Sequence, residues 1–412
     1  MVLLMVFGGV AAVAQGLPAV APGLRTAATV DAEQHRLAAA ARSILGSSQG
    51  VYVEAADGTV LVAQNEALAV HPASISKVPT TLALLRQLGP EHRAVTTFAS
   101  SGRVVAGTLQ GDLVVRCDGD SLLVEEDALL VASRLQRAGV QRIAGEVRLE
   151  GPLTFNWQPA TDGAALRQAL AGQTRPAAWQ AVQALEGIEE SARPGITFIP
   201  GLKVSASSDS APTALVVHRS PPLLALIKAL NDYSNNVFAH LAEQAGGAAA
   251  VENLARSVVP QEMAGEITLG DGAGEDPSNR LSPRAAVKLL KALDRELAAS
   301  GHKLVDALPV AGVDAGTLHE RLRGPQEAGR VVGKTGTFDE YGASALVGAI
   351  ATARHGTVYF AILDHDIRAV RARPRQDRFV RVLLSSLHGQ DWGYQRDTRP
   401  PFARAQVEVL RH

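Results

Sequence analysis

Gly329-Arg330-Val331-Val332-Gly333-Lys334-Thr335-Gly336-Thr337, late in a chain of 412 residues, fits two incompatible structures. Gly333-Lys334-Thr335 matches the tail of a phosphate-binding loop, whose lysine opens a helix. Lys334-Thr335-Gly336 matches the sheet edge that binds substrate beside a nucleophilic serine. A phosphate loop requires G-x-x-x-x-G-K-[ST], and counting back from Gly333 puts Ala328 where the first glycine belongs. The residues that follow, Thr335-Gly336-Thr337 and then Tyr341-Gly342-Ala343, are poor helix-opening material, whereas Arg330-Val331-Val332 reads as a strand running into the lysine. An edge strand carrying Lys-Thr-Gly-Thr offers a fixed cation and hydroxyls for a carboxylate, with a glycine that permits close backbone approach.

Working outward, Ala343 to Thr352 and Thr357 to Leu363 flank Ala353-Arg354-His355-Gly356 and predict a hairpin. Gly50 to Glu54 and Thr59 to Ala63 flank Ala56-Asp57-Gly58 and predict a second one. Two hairpins from opposite ends of the chain imply one antiparallel sheet closed by both. Helical patterns cover residues 31–45 and Arg375 to Leu387, the second opened by Pro374. Between them Gly111 to Arg116 reads as a strand, Glu125 to Arg137 as a helix and Arg142 to Leu149 as another strand. Residues 151–212 are rich in Ala, Gln, Pro and Ser, with poor periodicity.

Two further motifs carry chemistry. His71-Pro72-Ala73-Ser74-Ile75-Ser76-Lys77 leads into a helical pattern that Gly89-Pro90 stops, which puts Ser74 at the helix start and Lys77 on the same face. Ser is a common N-cap, but a cap does not explain Lys77. A lysine near a positive helix end and a second cation has its pKa lowered, so the neutral amine is able to take the hydroxyl proton. Pro79 inside this helix predicts a local distortion. Tyr233-Ser234-Asn235-Asn236 lies between helical stretches Leu223 to Leu230 and Val237 to Gln244, where a Ser-x-Asn loop supplies a second hydroxyl as proton relay and an amide for a substrate backbone.

Composition narrows the alternatives. A formal net charge of −1 and the absence of long like-charge runs disfavour nucleic acid as a partner. Cys117 is the sole cysteine, which excludes an intrachain disulfide and a cysteine metal cluster, and there is no His-Glu-x-x-His, so no metal is expected. Residues 1–14, MVLLMVFGGVAAVA, carry no charge and end in Ala12-Val13-Ala14, the small-x-small pattern of an export signal, although a basic n-region is missing. An extracytoplasmic protein, periplasmic or secreted, is expected.

Ser-x-x-Lys, a Ser-x-Asn in place of Ser-Asp-Asn, and Lys-Thr-Gly, in that order on a helix start, a loop and a strand, resemble the signature of penicillin-binding proteins and serine β-lactamases. The 160 residues from Ser74 to Ser234 exceed the short interval of the lactamases. The chain resembles instead peptidase family S13, the D-alanyl-D-alanine carboxypeptidase/endopeptidases known as low-molecular-mass class C penicillin-binding proteins, which insert extra domains there. Gly111-Asp112-Leu113-Val114-Val115, His218-Arg219-Ser220-Pro221-Pro222, Asp271-Gly272-Ala273-Gly274 and Leu308-Pro309-Val310-Ala311-Gly312 are also similar, over roughly 50–150 and 213–390. The family usually has a serine where this chain has Ala273.

The resemblance implies an α+β fold, an α/β/α sandwich whose antiparallel sheet is flanked by helices, with an inserted smaller domain. The expected limits are 25–103 and 216–390 for the peptidase domain, 104–215 for an insertion reduced relative to the family, and 391–412 for a C-terminal tail. By resemblance Ser74 is the nucleophile and Lys77 its base, while Ser234 relays a proton and Asn236 holds the peptide. Lys334 and Thr335, with Thr337, bind the terminal carboxylate, Gly336 belongs to the same substrate-binding strand, and the backbone N–H groups of Ser74 and Thr337 form the oxyanion hole. No cofactor is implied. Peptidoglycan peptides are the implied substrate and β-lactams the implied inhibitors, with peripheral association with cell wall or membrane. Two alternatives stand beside this reading: a catalytically slow penicillin-binding sensor of the same fold and, remotely, a P-loop NTPase.

Overall fold

The computed structural model describes residues 27–118, 121–185, 192–199 and 212–410; the expected leader lies outside them. The described residues begin with helix α1 (Ala27–Leu45), the hairpin β1 (Gly50–Ala55) and β2 (Val60–Gln64), and helix α2 (Lys77–Leu88). It then leaves this layer through strands β3 (Val95–Ser100) and β4 (Leu113–Asp118), helix α3 (Glu125–Arg137), and strands β5 (Val147–Glu150) and β6 (Thr213–Arg219). It returns with helices α4 (Leu223–Tyr233), α5 (Phe238–Gln244) and α6 (Pro283–Ala299), strands β7 (Val331–Phe338), β8 (Ala343–Thr352) and β9 (Gly356–Asp364), and helix α7 (Ala369–Ser386). Strand β10 (Gln406–Val409) follows.

Among the described residues the central sheet has six strands, in the order β7-β8-β9-β1-β2, with Gly389–Gln390 paired to β8. Its neighbours run antiparallel, and Val51 opposite Ile362 joins the first hairpin to the last, as both sequence hairpins require. Both faces are covered, so β9 reads as a continuous apolar run. Val358, Phe360 and Ile362 pack with Leu37, Ala41, Phe379 and Leu383 of α1 and α7. Tyr359, Ala361 and Leu363 point the other way, into the core built with Leu82 of α2 and Leu289, Leu290 and Leu293 of α6. Alternate residues of a strand reach opposite faces, which is why two helical layers sandwich one sheet.

A second sheet, β10-β6-β3-β4-β5, packs against α3 through Phe98, Val115, Ala128, Val131 and Val216. Helix α3 agrees with the sequence at both ends; the Asp127 carboxylate accepts the Val124 N–H and fixes its start. Four features differ from the sequence reading. The second sheet begins at Val95, before residue 104, and its strand β10 comes from the stretch expected as a tail, pairing Val216 with Val409. Arg142 to Leu149 is two strands: Arg142–Ile143 pairs with Thr108–Gln110, while β5 pairs with β4, so the segment crosses between sheets. Helix α7 starts at Ala369, with Pro374 inside it, because the Asp339 carboxylate accepts the Ala369 N–H from outside the helix. Pro79, the third residue of α2, does not break the helix, which follows directly on the 3-10 turn Ala73–Ser76 and continues to Leu88.

Candidate active site

Three segments converge at the edge of the central sheet. Ser74 lies in a 3-10 turn, Ala73–Ser76, that runs directly into α2, whose first residue is Lys77. Residues i and i+3 eclipse in such a turn, and the Lys77 Nζ lies 2.8 Å from the Ser74 Oγ. Lys77 is fully buried, and its nitrogen also lies 2.9 Å from the Asn236 Oδ1 and 2.7 Å from the Ala273 carbonyl oxygen. Burial pushes its pKa down to about 8, against the opposing pull of Glu275 and Asp271. Desolvation is therefore the leading cause, where the sequence reading invoked a helix end and a second cation.

Ser234 follows α4 in left-handed backbone, φ 56° and ψ 40°, which turns the chain sharply and aims the hydroxyl at β7. The Lys334 Nζ donates to the Ser234 Oγ at 2.7 Å and to the Thr335 carbonyl at 2.8 Å. Lys334 is wholly buried and its pKa lies well below the usual lysine value, through desolvation first and then the nearby Lys77. Asn236 is oriented by Glu275, which accepts from its Nδ2 at 2.6 Å. A carboxylate only accepts, so the amide oxygen must face Lys77.

The strand carrying Lys334 is held on both sides. On one side Lys334 faces Val347 and Gly336 faces Ala345 of β8. On the other, Gly333 N–H donates to the Pro309 carbonyl and Ala311 N–H to the Val331 carbonyl. Lys228 and Asn231 of α4 donate to the Leu308 and Ala307 carbonyls, tying the Ser234 helix to the same segment. Past Gly333 the outer edge of β7 pairs with no further strand among the described residues and faces the Ser74 turn. A Cβ placed on Gly336 would come within 2.6 Å of the Pro72 carbonyl oxygen, so glycine is what admits the turn. Thr335 and Thr337, two apart, lie on one side of the strand. The Thr337 Oγ1 accepts from Arg373 at 2.9 Å.

The family model of the D-Ala-D-Ala carboxypeptidase 3 (S13) family matches residues 33–157 and 167–385. The chain belongs to that family. The match runs through 167–212, where the residues themselves offer no recognisable motif. Carboxypeptidase DacB of Mycolicibacterium smegmatis is 28% identical over 84% of this chain and 82% of its own length. Among solved structures, the predatory peptidoglycan endopeptidase Bd3459 of Bdellovibrio bacteriovorus superposes with a TM-score of 0.71 at 23% identity, covering 88% of this chain and 98% of its own. Penicillin binding protein 4 of Haemophilus influenzae gives 0.59 at 19% identity, covering 87% and 99%.

Of the eight residues singled out from the S13-like motifs, hydrogen bonds join Ser74, Lys77 and Asn236 in one group and Ser234 and Lys334 in another, and Gly336 brings the strand bearing Thr335 and Thr337 against the turn before Ser74. The sequence reading missed Glu275, the Ala273 carbonyl and Arg373. Glu275 directly follows the quoted Asp-Gly-Ala-Gly stretch, whose Asp271 carboxylate accepts the Gly274 and Glu275 N–H groups and shapes the loop. Arg373 was missed because the helix bearing it begins at Ala369, six residues before the Arg375 start read from the sequence.

Proposed function

We propose that this S13 enzyme hydrolyses D-Ala-D-Ala peptides through an acyl group carried on Ser74. The observation that carries the reading is the donor count at Lys77. A neutral amine has two N–H bonds and one lone pair. The Asn236 oxygen and the Ala273 carbonyl can only accept, so they take both N–H bonds and leave the lone pair directed at the Ser74 hydroxyl. With a pKa near 8, about a tenth of Lys77 is in that form at pH 7.

Lys77 then takes the Ser74 proton as Oγ bonds to the carbonyl carbon of the penultimate D-alanine. The oxyanion is held by the N–H groups of Ser74 and Thr337, each worth on the order of 3 kcal/mol. The C–N bond breaks as Ser234 passes a proton to the leaving amine, and water later releases the acyl group. Lys334, Thr335 and Thr337, with Arg373 beside them, receive the terminal carboxylate; that anion raises the Lys334 pKa and favours its ammonium form.

β-Lactams mimic the acyl-D-Ala-D-Ala end and acylate the same serine. The substrate class places the enzyme outside the cytoplasm, and no helix among the described residues is long and apolar enough to cross a membrane. The central sheet with its helices forms the peptidase unit, and the second sheet with α3 the inserted one. A fluorescent penicillin labels the wild type and leaves Ser74→Ala blank; equal labelling of both overturns the assignment. Mass analysis of digested muropeptides separates tail trimming from crosslink cleavage.

A further inference from the structure

The residue just before the nucleophile, Ala73, has φ 49°, left-handed backbone that non-glycine residues avoid. Ala73 is fully buried, and its N–H donates to the His71 Nδ1 at 3.1 Å. The donor there is a backbone amide, so Nδ1 carries no proton; the ring proton sits on Nε2, which donates to the Asp276 carbonyl at 3.0 Å. The ring itself is fixed edge-on to Phe338 and stacked on Tyr341 at the end of β7, with centroids 4.9 and 5.6 Å away.

One imidazole therefore joins three parts of the cleft: the nucleophile turn, the loop holding Asp271 and Glu275, and the end of the Lys-Thr-Gly-Thr strand. We infer that His71 is a positioning residue for acylation: its neutral Nε2–H tautomer accepts the Ala73 N–H and holds the left-handed turn that sets the Ser74 Oγ against Lys77. The inference rests on Ser74 being the nucleophile.

Protonation puts a hydrogen on Nδ1 and orphans the buried Ala73 N–H, which disfavours the competent turn. The charged groups facing the ring are Asp271, Asp276 and Arg280, all from the loop on one side; Phe338 and Tyr341 face it from the strand end. Burial, reinforced by Arg280, lowers the His71 pKa, while the Asp276 carbonyl and the Asp271 and Asp276 carboxylates oppose it, so the ring stays neutral until the medium is acidic.

Two variants and one spectrum test this. Asparagine can present Oδ1 near the position of Nδ1 and does not titrate; phenylalanine keeps the ring contacts and lacks the acceptor. Rates of fluorescent-penicillin labelling are measured between pH 5 and 9, with Ser74→Ala as blank. The wild-type rate should fall with one proton while Lys77 titrates and with two once His71 also titrates at more acidic pH. His71→Asn should stay within about threefold of wild type at pH 8 and keep a one-proton slope throughout, and His71→Phe should lose on the order of tenfold at pH 8.

A His71→Phe enzyme that labels at the wild-type rate, or a His71→Asn enzyme with the two-proton limb, overturns the inference and leaves Ser74 untouched. Labelling of Ser74→Ala instead overturns the underlying reading. Should either His71 variant fail to fold, nitrogen-15 NMR of the wild type decides: a bare Nδ1 and protonated Nε2 are expected, and the reverse tautomer refutes the role.

Discussion

Gly336→Ala tests whether the cleft depends on the close approach of β7 to the nucleophile turn. The added Cβ would lie 2.6 Å from the Pro72 carbonyl oxygen, 3.2 Å from the Ala73 Cβ and 3.3 Å from the Ala345 Cβ. Backbone crowds it on the turn side and β8 on the other, so no side-chain rotation relieves it. Strand and turn must separate by roughly 0.8 Å before that contact reaches an ordinary 3.4 Å. The same separation carries the Thr337 N–H away from the Ser74 N–H. Displacements near 1 Å cost on the order of a hundredfold in rate, so β-lactam acylation should fall by roughly thirty- to a hundredfold. Overpacking of this kind costs about 1–3 kcal/mol of stability, which lowers the melting temperature yet leaves the protein folded at 25 °C. Second-order labelling rates, normalised to the folded fraction from circular dichroism, separate the two effects. A variant that labels within threefold of wild type with an unchanged melting temperature would refute the steric argument.

Two titrations follow. Glu275→Gln keeps an acceptor for Asn236 and removes a charge that holds the Lys77 pKa up, so the acid limb of acylation, near pH 8 in the wild type, should move to lower pH. At pH 6.5 the variant should label faster than wild type, and a limb displaced upward would contradict the role given to Lys77. Asp364 is buried, with Gln376 donating to it at 2.8 Å, and burial raises its pKa from 3.8 to about 6. Between those values the folded state holds more protons than the unfolded one, so this carboxyl makes stability fall as pH rises through the window. Asp364→Asn keeps the acceptor and does not titrate. Its melting temperature should gain on the wild type from pH 4 to 6, and a constant difference would exclude the linkage.

The parts legible in the sequence are those in which one local pattern met one environment. Strands β8 and β9 are apolar runs on either side of a short turn, so the hairpin they form could be read from their own residues. Ser74 and Lys77 lie one turn apart on a continuous segment, so their contact followed from spacing alone. What the sequence concealed depends on distant partners. Ala369 finds its helix-starting acceptor in Asp339, and the strand expected over 142–149 breaks because its halves bond to different sheets. Glu275 reaches Asn236, and Arg373 reaches Thr337, across 39 and 36 residues of chain. Nothing in the local composition of any of them marks the encounter.

Strand β10 pairs with β6, and β6 with β3, so one sheet needs residues 95–100, 213–219 and 406–409 at the same time. The central sheet likewise waits for β9 before β1 gains its second neighbour. A nascent chain shorter than about 364 residues completes neither layer, and one ending before 406 leaves an open edge on β6, ready to pair with another molecule. Pairings between segments so far apart cannot form until the later strand exists, so closure of both sheets waits on synthesis. Both layers therefore stay incomplete until their final strands arrive, and a chain cut before residue 406 should yield aggregates in place of a trimmed enzyme.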